Sequence, residues 1–478
     1  MSIDSSTRPK TSPSKIRLQA FIVIVSGCLP WTLSAAEMPI LSLSRAVEIA
    51  IEHDPWHTAS QARQRALEAQ SQAVSGFPSP KLSVSAMNLP TDSFSFNQEN
   101  MTQLSVGVSQ MFPRGDTLSL LSRQLTEKGN ALPLLQLDRQ ADVTATVSQL
   151  WLDAFKADQS IALITANRAL FEQLVEIARA NYASALGRTR QQDIIRAQLE
   201  LTSLDDRLQE LEKQKAVALQ KLDGWLAAST VDGPTTKATH ATAWYISSMG
   251  EFGLPAELSS LEEGLLVEIQ RMTRLPQHDI TDALSHHPII QALDQNIIAA
   301  TTGRELSTQQ YKPEWGLTAA YSHRDNASSG MARPDFFSVG LTIDVPLLQR
   351  RQTDASVQAA AATIEAIKAE RRLSLRNMRA ALMAEAALID GLSTRLSLYQ
   401  DTLLPQLDEY AEATLTAYTN DESEFVEVVR ARIDLLNAKI SALVLAVDRR
   451  KAIARLDYFW PHSLARTESQ DAYQGEQP

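Results

Sequence analysis

Few residues of this 478-residue chain have types and spacing that could do chemistry. His286-His287 offers two imidazoles, the start of a metal site. No second group of His, Asp or Cys stands at ligand spacing around it, so a structural role is the stronger reading and no metal is expected. Met101 and Met111 could offer soft sulfur to copper, but among ten scattered methionines they read better as strand filler. Cys28 is the single cysteine, which excludes a disulfide framework and any cysteine-based metal cluster. No phosphate loop, HExxH or GxSxG occurs, so an enzyme has nothing to work with and no cofactor is implied. Lys+Arg 45 against Asp+Glu 56 gives a net charge of −11, which disfavours a nucleic-acid partner. What remains are three carboxylates beside turns, Asp193, Glu424 and Glu427. Arg196 follows Asp193 by three positions, and Arg430 follows Glu427 by three. Repeated round an axis, such acids would bind or select cations. Taken singly they would only favour a helix N-terminus.

The elements that must position these residues are long helices. Aromatics are 6% of the chain and glycines number only 17, which suits helices better than a β-rich or loop-rich protein. The N-terminus reads as an export signal: Arg8, Lys10, Lys15 and Arg17 precede an apolar run from Leu18 to Gly27 that is too short to span a bilayer. Two processing sites compete. Ser34-Ala35-Ala36 suits ordinary cleavage after Ala36, the preferred reading. Val25-Ser26-Gly27-Cys28 reads as a lipobox that would lipidate Cys28.

The rest is a duplication. His53-Asp54-Pro55 recurs as His286-His287-Pro288, 233 residues on. Pro80 recurs as Pro313, Ser105-Val106-Gly107 as Ser338-Val339-Gly340, and Pro113 as Pro346, all at that offset. Each copy reads helix, strand, strand, very long helix, turn, helix. The first helix is expected over 42–75. Two segments of strict alternation follow in each half: Leu82, Val84, Ala86 and Leu104, Val106, Val108; then Trp315, Leu317, Ala319, Tyr321 and Phe337, Val339, Leu341, Ile343, Val345. Period two gives one apolar and one small or polar face. About ten residues is the length a tilted strand needs to cross a bilayer. Pro80, Pro113, Pro313 and Pro346 mark the helix–strand junctions. Trp315, Tyr321, Phe336 and Phe337 would form an interfacial aromatic girdle.

Helical patterns then run over about 117–186 and 353–418, roughly 105 Å for ~70 residues, with interruptions expected at Pro133 and Pro405. The returning helices carry heptad seams: Leu201, Leu204, Leu208, Leu211, Ala218 and Leu222, with Lys215 the one polar intruder, and Ile433, Leu436, Ile440, Leu443 and Val447. The domain reading is a signal peptide over 1–36, a first repeat over 37–233, a connector over 234–279, a second repeat over 280–460 and a disordered tail over 461–478. Four strands cannot close in a membrane alone, since their edges would leave backbone groups unpaired in hydrocarbon. A homotrimer would pool them into one twelve-stranded barrel. The fold class is therefore mainly α: a long helical coiled-coil barrel with four strands per chain contributed to a shared transmembrane β-barrel.

The chain resembles the TolC-type outer-membrane efflux factors over nearly all of residues 40–460. The resemblance rests on Leu43-Ser44-Arg45-Ala46-Val47 leading to His53-Asp54-Pro55, on the proline-bounded strand pairs, and on Tyr182, Gly187 and Asp193-Ile194-Ile195 at their spacing. It implies a homotrimeric duct in outer-membrane lipid with a periplasmic helical extension. Such a duct docks onto a periplasmic adaptor protein and an inner-membrane RND-type pump. It makes the two turns periplasmic tips: Ala185, Leu186, Gly187 and Arg188 in the first, Tyr418, Asn420 and Asp421 in the second. These would touch the adaptor, with Asp193, Glu424 and Glu427 as acidic gate rings that Arg196 and Arg430 could pair. The second turn lacks the usual glycine, and Asn420 is the expected left-handed substitute. Met101–Gln110 followed by Met111-Phe112-Pro113-Arg114-Gly115-Asp116 looks most like the branch serving heavy-metal cation pumps. A drug-efflux or type I protein-secretion duct is the alternative within the class. A soluble periplasmic coiled-coil scaffold is the alternative outside it.

Overall fold

The computed structural model describes residues 40–183, 190–227, 245–246, 276–346, 348–420 and 422–459. The expected signal peptide, Cys28, most of the connector and the tail lie outside them. In chain order come β1 (Ile40–Leu41), α1 (Leu43–Glu52), α2 (Pro55–Ser75), β2 (Lys81–Met87), β3 (Gln103–Phe112), α3 (Thr117–Ala183) and α4 (Gln191–Leu226). After β4 (Tyr245–Ile246) come α5 (Gln277–Ser285), α6 (Pro288–Thr308), β5 (Glu314–His323), β6 (Phe336–Asp344), α7 (Arg350–Leu398), α8 (Leu404–Thr419) and α9 (Phe425–Phe459).

The helix expected over 42–75 is two helices. Ser42 caps α1, its hydroxyl accepting the Arg45 N–H at 3.2 Å. Pro55 then has no N–H to continue the ladder, and Asp54 accepts the Trp56 N–H at 3.1 Å, so α2 starts afresh with proline at its first position. α6 starts in the same way, with His287 as the cap and Pro288 as the first residue. α2 and α6 begin and end at positions 233 apart. β1 pairs in parallel with β4, a contact that the sequence pattern did not announce.

β2, β3, β5 and β6 form one antiparallel sheet in that order. Its register sorts side chains by face. Val84, Val106, Tyr321 and Phe337 lie in one cross-strand row, and Leu82, Val108, Ala319 and Val339 in the next. Phe112, Trp315 and Ile343 form another, and Gln110 joins Leu317 and Leu341. The opposite face reads Ser83, Gly107, Ala320, Ser338; Ser85, Ser105, Ser322, Phe336; and Lys81, Ser109, Thr318, Gly340. A Cβ on Gly107 would sit 3.0 Å from the Ser83 hydroxyl, so glycine keeps the strands at this spacing. Phe336 therefore leaves the expected aromatic girdle: it points to the polar face, where the Arg324 guanidinium lies 4.0 Å over its ring. Trp315, Tyr321 and Phe337 share the apolar face.

The helices form a layer in which α3 packs against α2, α4, α6 and α9, and α7 packs against α6 and α9. α3 has 67 residues, about 100 Å at 1.5 Å per residue. It passes Pro133 without a break, because neighbours on two sides hold the stretch that has lost one backbone bond. Ahead of Pro405 the chain instead makes a π-helical turn, Tyr399–Leu403, before α8 resumes. Trp151 anchors one core: fully buried, it stacks on Phe155 with centroids 5.4 Å apart and donates its indole N–H to the Leu41 carbonyl at 3.0 Å. Ile164, Phe171, Val175, Ala178, Leu204, Val428 and Leu436 make a second core toward the helix tips. Among the described residues no helix is long and apolar enough to cross a membrane, which says nothing about the sheet.

Candidate functional site: helix tips and a two-faced sheet

The second tip is built from α8 and α9. Tyr418 packs edge-on against Phe425 at 5.8 Å, which closes the pair of helices over an apolar contact. Asn420 is not left-handed: its φ of −93° and ψ of 9° keep it right-handed. The helix ends instead through the Glu422 N–H reaching back to the Ala417 carbonyl at 2.8 Å. That bond spans Asp421, which lies outside the described residues, as do Ala185, Leu186, Gly187 and Arg188 of the first tip.

The three acids differ. Asp193 is half-buried in the first turn of α4, where its carboxylate accepts the Arg190 N–H at 2.8 Å. This is helix-end chemistry, favourable to the dipole. Glu424 and Glu427 are exposed, and Glu427 accepts the Ser423 hydroxyl at 2.8 Å. Arg196 and Arg430 are exposed too, and among the described residues neither pairs with an acid of its own chain. The structure thus brings Glu424, Glu427, Tyr418 and Asn420 to one tip, and Asp193 and Arg196 to the start of the other returning helix. Pro80, Pro113 and Pro313 adjoin strand ends directly, and Pro346 follows β6 by two residues.

Sequence reading missed the ion pairs that fix the tip helices. Arg432 reaches Glu412 at 2.7 Å, and Arg168 reaches Asp205 at 3.0 Å and Glu172 at 2.5 Å. Lys215, the intruder in the leucine seam, donates to Asp158 at 2.6 Å, with the aspartate side chain only 14% exposed. A lysine at a seam position was itself the signal that a facing acid had to exist.

His287 is 2% exposed and caps α6. The Tyr458 carbonyl only accepts, so Nε2 carries the proton and donates to it at 2.9 Å. Nδ1 then accepts the Ile289 N–H at 3.4 Å as the cap of α6. Asp138 lies 3.9 Å from Nδ1 and accepts the Tyr458 hydroxyl at 2.9 Å. Burial pushes the His287 pKa below the ordinary imidazole range and raises those of Asp138 and Tyr458. No cluster of three or more His, Cys, Asp or Glu able to hold a metal occurs among the described residues.

A sheet with one apolar and one small-polar face thus stands beside a helical layer whose longest member, α3, runs about 100 Å. Residues 280–460 match the family model described as outer membrane efflux protein. Solved structures agree on the fold. A membrane protein from Pseudomonas aeruginosa superimposes with a TM-score of 0.68 at 16% identity, covering 88% of this chain and 94% of its own. The Campylobacter jejuni CmeC outer membrane channel gives 0.64 at 13% identity, with 94% of each chain covered. The outer membrane protein VceC from Vibrio cholerae gives 0.64 at 14% identity, covering 87% of this chain and 95% of its own. No curated protein matches the chain by sequence.

Proposed function

We propose that the chain is the exit duct of a tripartite efflux system. Three copies pool their sheets into a twelve-stranded barrel with the apolar faces to lipid, and the helices carry the passage into the periplasm. An adaptor and an inner-membrane RND-type pump load it, and cargo leaves down its gradient. The observation that carries this reading is the register of the four-stranded sheet. It separates apolar from polar side chains while leaving β2 and β6 as open edges that hydrocarbon cannot tolerate. The repeat boundaries at 37–233 and 280–460, and the adaptor-contacting tips Ala185–Arg188 and Tyr418–Asp421, belong to the same proposal. Cargo of heavy-metal cations is supported by the segment 101–116 alone.

The gate is placed at Glu424 and Glu427, whose exposed carboxylates would face one another in rings, with Asp193 contributing less because its carboxylate already serves its own helix. Arg196 and Arg430 would pair these acids across protomers in the closed state. Opening is then an untwisting of the tips that the adaptor favours. In planar bilayers Glu427→Ala should raise single-channel conductance and relieve block by divalent cations. Unchanged conductance with unchanged block would remove Glu427 from the gate. Loss of the gene should sensitise cells to copper, zinc, cobalt or cadmium; sensitivity to detergents and dyes instead would reassign the cargo. A protein extracted without detergent as a monomer would refute the duct.

A further inference from the structure

A groove of about 520 Å³ lies where the end of α2 meets the start of α3, at the helix end of the sheet. The part nearest the strands is apolar, lined by Phe77, Pro113 and Leu118. Phe77 is 68% exposed, and its ring meets that of Phe112 edge-on at 5.7 Å. Phe112 belongs to the apolar row that continues through Trp315 to Ile343. The groove therefore opens on the apolar side of the sheet, and Phe77 extends that side beyond the last strand residue.

The part further along α3 is polar. Ser75, Ser119 and Ser122 line it together with Arg123. Arg123 stands two helical turns beyond Asp116, about 10 Å. Its side chain is 59% exposed, and its Nε donates to Glu127 at 2.7 Å. The other Glu127 oxygen takes the Thr302 hydroxyl at 2.6 Å. The two terminal nitrogens of Arg123 meet no acceptor among the described residues. Asp116 is engaged by Lys312 at 3.0 Å. Formal charge over Asp116, Lys312, Arg123 and Glu127 is thus zero, and the exposed Glu305 of α6 lies near Arg123 and adds one acid.

We propose that this groove holds the head of a zwitterionic phospholipid from the periplasmic leaflet, with its phosphodiester on Arg123 and an acyl chain running past Phe77 and Phe112. This rests on the reading of the sheet as the membrane-spanning part of the duct. A free guanidinium edge forms strong charge-assisted bonds to phosphate oxygens. Aromatic rings at the level of the headgroups anchor a protein at the membrane boundary, and the Phe77–Phe112 pair marks that level here. The acids around Arg123 favour a head that brings its own cation, as phosphoethanolamine does, over one with net negative charge. Positions 233 further on hold Gln310 for Phe77 and Ser356 for Arg123, so the site occurs once per chain.

Two added indoles test this. Phe77→Trp reports the groove and Leu341→Trp the apolar face of the sheet, each read as the fluorescence gained over the wild type. In vesicles of phosphatidylethanolamine with brominated chains, both gained signals should be largely quenched. Adding Arg123→Gln should restore the signal of Phe77→Trp and leave Leu341→Trp quenched. Bound lipid gives a second readout. Wild-type protein moved from vesicles of mixed phosphatidylethanolamine and phosphatidylglycerol into excess dodecyl maltoside should retain phosphatidylethanolamine. Arg123→Gln and Phe77→Ala should each lose it while keeping their helical circular dichroism. Retention unchanged in both variants, equal retention of phosphatidylglycerol, or equal quenching of Phe77→Trp by a brominated diglyceride that lacks phosphate would overturn the headgroup site. Quenching at Leu341→Trp would then leave the duct standing. Absence of quenching there would overturn both.

Discussion

Replacing His287 by aspartate separates capping from charge. Position 287 caps α6 as Asp54 caps α2, and by propensity aspartate is an excellent cap. The surroundings differ. Asp54 meets Arg139 at 2.8 Å, whereas His287 faces Asp138 at 3.9 Å and Tyr458. An aspartate or asparagine would put its Oδ1 where His287 Nδ1 now sits, and either could accept the Ile289 N–H. Both lose the bond to the Tyr458 carbonyl, about 1–3 kcal/mol for a buried acceptor. Only aspartate adds a charge roughly 4 Å from Asp138, worth about 4 kcal/mol at an effective dielectric near 20. The helix dipole returns about 0.3–1 kcal/mol of this. His287→Asp should therefore be about 3–4 kcal/mol less stable than His287→Asn near pH 7.5.

The pH dependence gives the sign. The pair raises one carboxyl pKa above its unfolded value near 3.9, so the penalty is full above that raised pKa and fades as pH falls through it. The wild type behaves oppositely. Its His287 pKa is lowered by burial, so stability is present above about 6.5 and declines as pH falls below it. Asp138, raised by burial, offsets part of that decline at lower pH. Guanidinium unfolding in detergent, followed by helical circular dichroism at pH 5 and 7.5, measures all three proteins. Equal midpoints for the two variants at pH 7.5 would show that Asp138 does not sense position 287, and the argument would fail.

Three other outcomes follow from packing. Val106→Lys puts a charge on the apolar face of the central strand β3 and should cost about 2–4 kcal/mol in lipid, while Ser109→Lys on the other face should cost far less; unfolding from bilayers compares them. Lys215→Met should destabilise by about 1–3 kcal/mol because Asp158 stays partly buried without its cation, and adding Asp158→Asn should recover most of the loss. Trp151→Phe keeps the stack on Phe155 but orphans the Leu41 carbonyl, so about 1–3 kcal/mol should be lost in chemical unfolding.

Much of the fold was legible because it is written in local chemistry. Alternation along the strand segments of 81–112 and 314–344 named the apolar face, Phe336 apart, and the observed α2 and α6 do keep the offset of 233 that the prolines showed. The break at Asp54-Pro55 was equally visible as a cap followed by proline, but the apolar periodicity on either side outweighed it. The closing of the second tip was not legible. A glycine-free turn suggested a left-handed Asn420, whereas the helix runs one residue further and closes by a longer backbone bond. Nor could the sequence show that Glu127 meets Thr302 or that Asp138 meets His287, since both pairs join segments far apart in the chain. Of the tip acids, the sequence ranked Glu427 first and set Asp193 level with Glu424; the Arg190 N–H that Asp193 accepts tells those two apart.

The hydroxyl- and glycine-rich side of the sheet has a physical consequence for whatever passes along it. Its ionic groups, Lys81, Glu314 and Asp344, cluster at the end nearest the helices, with Arg114 contacting the two acids there. Between that end and Phe336, which lies under the Arg324 guanidinium at the far rim, come serine, threonine, glycine and alanine, which wet readily yet carry no net charge. Ions would cross that stretch at nearly their free-solution mobility, so any preference for one solute over another must be decided at its two ends.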